Sequence, residues 1–156
     1  MLSQEHEVHI VNMASFTGLI STPGLAIYGS SKHALVRISE ALIISSSRSS
    51  DHRCACRVIC PEGVQTRLAS ARRNRPARLR RGSEDEFGPD EQTELERAFR
   101  ARAGDNTMAP NEVADQILDA IRREQFYVLP HENTDAIRRR MRSILQRRNS
   151  EPHSAG

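Results

Sequence analysis

Apolar positions along the chain fall into short segments separated by polar or charged stretches. HEVHIVNMAS contains a brief apolar run, which predicts a buried strand at about His9–Met13 ending in small polar residues. FTGLISTPGL follows as a loop, punctuated by Gly18, Pro23 and Gly24. From Ala26 to about Ser46 the spacing becomes helical, with Ala34, Leu35, Ile38, Ala41 and Leu42 on one face. The serine-rich stretch SSSRSSDH closes that helix, and CACRVICP predicts a second strand at about Cys54–Cys60, stopped by Pro61. Residues 62–104 form a long charged excursion of marginal helical content. Pro110 and Asn111 then open a helix with Val113, Ala114, Ile117, Leu118 and Ile121 on its inward face. FYVLP, 126–130, predicts a third strand, and a last helix over about Asp135–Arg148 turns Ile137, Met141, Ile144 and Leu145 inward under a coat of arginines. Strands alternating with helices predict an α/β fold on a parallel sheet, and no internal repeat is visible.

Composition narrows the picture. At 156 residues, with 37% hydrophobic and 28% charged residues, the chain is one domain at most, large enough for a core. No apolar run is long enough to span a bilayer, and the N-terminus lacks the basic-then-apolar order of a secretory signal. Cys54, Cys56 and Cys60 are an odd set of three close thiols, which fits a reduced, cytoplasmic compartment. The net charge of +3 hides two opposed blocks: seven arginines and no acid over 67–81, then seven acids and no base over 84–96. Such a pair reads most simply as a solvated, partly self-neutralised stretch. The arginine run lacks interleaved aromatics and any recognised motif, which argues against a nucleic-acid partner.

Chemistry concentrates around AIYGSSKHAL, 26–35. Of 23 Lys and Arg residues only Lys32 is a lysine, and it follows Tyr28 by four. On a helix the two share a face. Tyrosine ionises near pH 10, and an ammonium one turn away favours its phenolate, moving it toward useful acid–base work. A compact ammonium also suits vicinal hydroxyls better than a planar guanidinium. Taken alone, Tyr-x-x-x-Lys is equally compatible with two surface residues. Ser15, however, ends the preceding strand, where open α/β sheets bind ligands, and its hydroxyl could hold a carbonyl oxygen. After the second strand, Pro61-Glu62-Gly63-Val64-Gln65-Thr66 exposes backbone groups and a hydroxyl, though an ordinary strand-exit loop would read the same.

Together IVNMAS, YGSSK, CPEGVQT, APNEVADQILDAI and FYVLP resemble the C-terminal half of a short-chain dehydrogenase/reductase, over most of residues 8–148. The resemblance implies the C-terminal half of a Rossmann-type doubly wound parallel sheet. It implies a partial domain over 1–130, including a charged lid-like or disordered insertion over 67–108, followed by a C-terminal helix and tail over 131–156. Tyr28 would exchange the proton, Lys32 would tune it and hold the nicotinamide ribose, and Ser15 would orient the substrate carbonyl. Pro61, Gly63, Val64 and Thr66 would cradle the nicotinamide, with Glu62 standing where glycine is common. Ser15, Phe16 and Tyr28 would face substrate. The implied activity is NAD- or NADP-dependent interconversion of an alcohol and a carbonyl, in a homo-oligomer, with no metal and no membrane partner.

No Gly-rich dinucleotide turn occurs among the eight glycines, and the family's earlier strands, adenosine pocket and upstream asparagine have no counterpart. This predicts a weakly stable chain with an open apolar edge at the first strand, prone to associate. A catalytically silent remnant acting as an association module is therefore the alternative reading, and a basic nucleic-acid-binding segment a more distant one. The cysteines read as buried and inert, because structural zinc needs four well-spaced ligands. The six histidines show no triad or ligand spacing, and His33 lies about 100° from Lys32 around its helix, away from the site. Met13, Phe16, Leu19 and Leu25 line either a substrate pocket or the core.

Overall fold

A computed structural model describes residues 6–47, 54–68, 71–74, 76–79 and 107–149. They fall in two compact units, 1–62 with 111–156, and 63–110. The acidic block 84–96 lies outside the described residues, as does most of the charged excursion.

The first unit is built on a parallel sheet of order β1-β2-β5: β1 (Val8–Met13), β2 (Cys54–Ile59) and β5 (Tyr127–Val128). β1 runs in register with β2 from Val8 opposite Cys54 to Met13 opposite Ile59, and Val58 and Ile59 meet Tyr127 and Val128. A parallel pair needs a crossover, and α1 (Ala26–Ser47) supplies it between β1 and β2. Side chains alternate along β2. Val58 and Cys60 pack with Ala14 and with Val36 of α1 in the main core. Arg57 points the other way and donates to the Ile121 carbonyl at the end of α2 (Pro110–Arg122), 3.4 Å away. Helices thus cover both faces of the sheet, the doubly wound arrangement expected from the alternation of elements.

The predicted elements sit where the pattern put them, with boundaries moved by a residue or two, except for the last strand and helix. Of FYVLP only Tyr127–Val128 pair as strand, because Pro130 has no amide to extend the ladder. The last helix, α3 (Thr134–Leu145), ends before Arg148: Arg147 takes a positive φ of 55° there.

The helix faces need more correction. On α1 the covered stripe is Lys32, Leu35, Val36, Ser39 and Ile43, whereas Ala34, Ile38, Ala41 and Leu42 are exposed. On α2 Val113 and Ala120 are buried and Ala114 and Leu118 exposed. On α3 Ala136 is buried with Ile137 beside it, while Met141, Ile144 and Leu145 face outward. Each stripe is set by its neighbours: Ser39 is drawn in by Asn12 of β1, and Arg140 of α3 by the Leu19 carbonyl.

In the second unit β3 (Gly63–Val64) pairs in parallel with β4 (Thr107–Met108), an element the pattern did not predict. Gln65 adds a backbone bond to the Met108 carbonyl, 3.0 Å. Two single 3-10 turns, Ala71–Asn74 and Ala77–Leu79, lie within the arginine run. No described helix is long and apolar enough to cross a membrane.

Candidate active site

Ser15 stands directly past the end of β1, and the ladder continues through it. Ala14 donates to the Ile59 carbonyl and Phe16 to the Pro61 carbonyl, both at 2.8 Å, so the loop bearing Ser15 is sewn to the exit of β2. The serine takes an extended conformation and caps the 3-10 turn Phe16–Gly18. Its Oγ accepts from the Thr17 amide at 3.3 Å and the Thr17 hydroxyl at 3.1 Å. Both contacts use the oxygen as acceptor, which leaves the Ser15 proton free to be donated elsewhere.

The 3-10 turn packs tightly on the start of α1. A Cβ on Gly18 would lie 2.9 Å from the Lys32 backbone carbon and oxygen, and one on Gly29 would lie 3.2 Å from the Thr17 carbonyl. The intervening loop reverses at Thr22–Leu25, where Leu25 donates to the Thr22 carbonyl at 3.2 Å and Gly24 takes the positive φ such a turn requires. His33 Nδ1 lies 2.7 Å from the Gly18 carbonyl. Position 33 therefore contributes to the site by holding the loop after Ser15, although it faces away from Tyr28; its spacing along the helix carried no sign of this.

Lys32 Nζ donates to the Met13 carbonyl at 2.9 Å and sits 5.7 Å from the centroid of the Tyr28 ring. One ammonium thereby ties the tyrosine-bearing face of α1 to the strand end two residues before Ser15. Tyr28 and Lys32 are both half-buried, and Ser15 is buried. Phe16 is buried in a core cluster with Ile20 and Ala136. Met13 is exposed, Leu25 is half-buried, and Leu19 packs against the main core.

Two further groups adjoin the corner. Burial pushes the Cys60 thiol up to about 11, partly opposed by a backbone hydrogen bond from Ser15 and by the charge of Lys32, so the thiol stays protonated at neutral pH. Cys56 and Cys60 are both buried and neither is in a disulfide. Next to Pro61, which is buried, the Glu62 amide donates to Nδ1 of buried His131 at 3.2 Å. The Glu62 Oε1 is buried with no hydrogen-bond partner. The remaining residues expected to meet a cofactor belong to the second unit. Gly63 is buried and Val64 half-buried in β3; Thr66 bonds through its amide to the Val64 carbonyl and through its hydroxyl to the Leu68 amide. Among the described residues no group of three His, Cys, Asp or Glu could hold a metal ion.

Comparison with known proteins gives a consistent picture. The family model described as short chain dehydrogenase matches residues 1–77. The sequence is 31% identical over 134 residues to the "CLA biosynthesis dehydrogenase/reductase" of Lactiplantibacillus plantarum, spanning 84% of this chain and 45% of that protein. A short chain dehydrogenase/reductase from Burkholderia phymatum, solved in complex with NAD, is similar at 35% identity and a TM-score of 0.81, over 99% of this chain and 54% of that one. A short chain dehydrogenase from Burkholderia cenocepacia, solved in complex with NADP, shares the fold at 17% identity and a TM-score of 0.55, over 90% of this chain and 45% of that one. The chain spans about half the length of these proteins.

Proposed function

Because the chain belongs to the short-chain dehydrogenase/reductase family, we propose that the corner formed by Ser15, Tyr28 and Lys32 interconverts an alcohol and a carbonyl. The observation that carries this reading is the Lys32 ammonium, bonded to the Met13 carbonyl and set 5.7 Å from the Tyr28 ring beside the Ser15 strand end. In the reducing direction Ser15, its oxygen already saturated by Thr17, donates a hydrogen bond to the carbonyl oxygen and orients it while keeping its own proton. Tyr28 delivers a proton to that oxygen as negative charge builds on it. Lys32 keeps a positive charge beside the phenol as the proton leaves.

A nicotinamide cofactor, when bound, supplies or takes up the hydride. The corner fits its ribose end: Lys32 gives one of its three N–H donors to Met13, leaving two for vicinal hydroxyls. Pro61, Gly63, Val64 and Thr66 are the residues that the family resemblance assigns to the nicotinamide. The relatives solved with cofactor include one holding NAD and one holding NADP.

The test is titration of NADH and NADPH by nicotinamide fluorescence, paired with carbonyl reduction followed at 340 nm over a ketone panel. At least one cofactor binds the wild-type protein. Tyr28→Phe keeps that binding while losing about 10²–10⁴-fold in rate, and Lys32→Ala weakens both. Absence of binding by either cofactor, or reduction by Tyr28→Phe at the wild-type rate, overturns the reading.

A second reading, self-association, is favoured by the apolar residues left uncovered on α1. Ile27 is 90% exposed and Ile38 54%, with Leu42 beside them. On this reading Ile38→Glu shifts sedimentation toward the monomer, and an unchanged sedimentation coefficient rules this face out as the contact.

A further inference from the structure

Behind the proposed active corner, the loop after Ser15, the outward side of α1 and Arg140 of α3 enclose an open cavity of about 790 Å³. That is within the usual range of small-molecule sites. Ser15, Tyr28 and Lys32 do not line it, so it is a different place from the carbonyl site. Its wall is largely apolar, with Ile20, Leu25 and Ala34 contributing. Its charged or chargeable lining groups are His33, Arg37 and Arg140, and no Asp or Glu lines it.

The polar groups there are incompletely used. Arg140 donates to the Leu19 carbonyl at 3.2 Å, one bond from a guanidinium with five donors. Arg37 reaches Glu40 only at 3.4 Å and is mostly exposed. Thr22, also in the lining, keeps its Oγ1 buried with no hydrogen-bond partner, a group that a protein interior ordinarily satisfies. An apolar wall and an excess of cationic donors together describe the complement of one ligand class.

We propose that this cavity binds a small organic anion, a carboxylate carried on an apolar body. The body lies against Ile20, Leu25 and Ala34. The carboxylate is held by Arg37 and Arg140, whose planar forks match its two oxygens.

The probe is 4-phenylbutyrate, titrated calorimetrically into the full chain, with 4-phenylbutanol as its uncharged counterpart and inorganic phosphate as an anion without a body. Phenylbutyrate saturates with a Kd of about 1 mM or tighter, and both controls bind at least about tenfold more weakly. Arg37→Gln and Arg140→Gln each weaken phenylbutyrate by about tenfold, while Tyr28→Phe leaves its affinity unchanged. Arg140 also anchors the Leu19 carbonyl, so Arg37→Gln and the alcohol control carry the test should Arg140→Gln not fold. The proposal is overturned if phenylbutyrate does not saturate, if the alcohol or phosphate binds as tightly, or if Arg37→Gln binds it like the wild type.

Discussion

The two sides of α1 differ more in chemistry than in hydropathy. The covered side carries Lys32, Leu35, Val36, Ser39 and Ile43, two of them polar; the open side carries Ile27, Ile38 and Leu42. Polar groups go inward because each has a partner. Ser39 donates to the Leu35 carbonyl at 2.7 Å and accepts from Asn12 at 2.9 Å, and Lys32 bonds the Met13 carbonyl. A buried hydrogen-bonded hydroxyl costs little, whereas an unpaired one costs about 1–3 kcal/mol. Orientation of the helix, and with it the aim of Tyr28, therefore depends on specific polar contacts to β1 more than on the greasiest stripe.

Substitutions on the two sides separate these contributions. The largest loss is expected at the tightest contact: Gly18→Ala forces a methyl to 2.9 Å from the Lys32 backbone and destabilises by about 3 kcal/mol, read by urea denaturation, with cofactor binding weakened in parallel. Val36→Ala, in the main core, removes about 2 kcal/mol in the same assay. Asn12→Ala takes away the partner of Ser39 and costs about 1 kcal/mol.

The far end of the covered side adds a pH test. Tyr127 donates its hydroxyl to Glu40, and burial together with that carboxylate pushes its ionisation up to about 12. An acid whose folded-state value is raised stabilises fully below its unfolded value near 10, and that contribution is lost as pH climbs toward 12. Tyr127 is 40% exposed, so water screens the pair and the effect stays below about 1 kcal/mol. It shows as a loss of melting temperature between pH 10 and 12 that Tyr127→Phe flattens. Least of all, Ile38→Ala on the open side changes monomer stability by less than about 0.5 kcal/mol. A loss there as large as that of Val36→Ala would mean the open side is covered.

Much of the candidate site's geometry was legible because it is local. Tyr28 and Lys32 are one helical turn apart, so a helix over Ala26–Ser47 was enough to place them together. Ser15 was legible as a strand end. His33, Cys60 and His131 were not, since each acts through a tertiary contact: His33 through the Gly18 carbonyl, Cys60 through the Ser15 backbone amide and His131 through the Glu62 amide; Thr17 went unread although its bonds to the Ser15 oxygen are local. Gly18 read as loop punctuation, and its actual function is to let the chain approach Lys32. The pairing of β3 with β4 joins residues more than forty apart through two-residue strands, too short for any period to register.

What the sequence determined by itself was the order and type of the longer elements, β3 and β4 excepted, and the spacing of the phenol, ammonium and hydroxyl. These follow from 3.6- and 2-residue periods and from where proline and glycine interrupt them, all short-range properties of the backbone. The tertiary structure alone decided which helical face turns inward. On α1 the covered stripe lies one residue, about 100°, from the most apolar one, because burial is settled by the groups that meet it: the Asn12 amide, the Met13 carbonyl and the apolar pair of Val58 and Cys60.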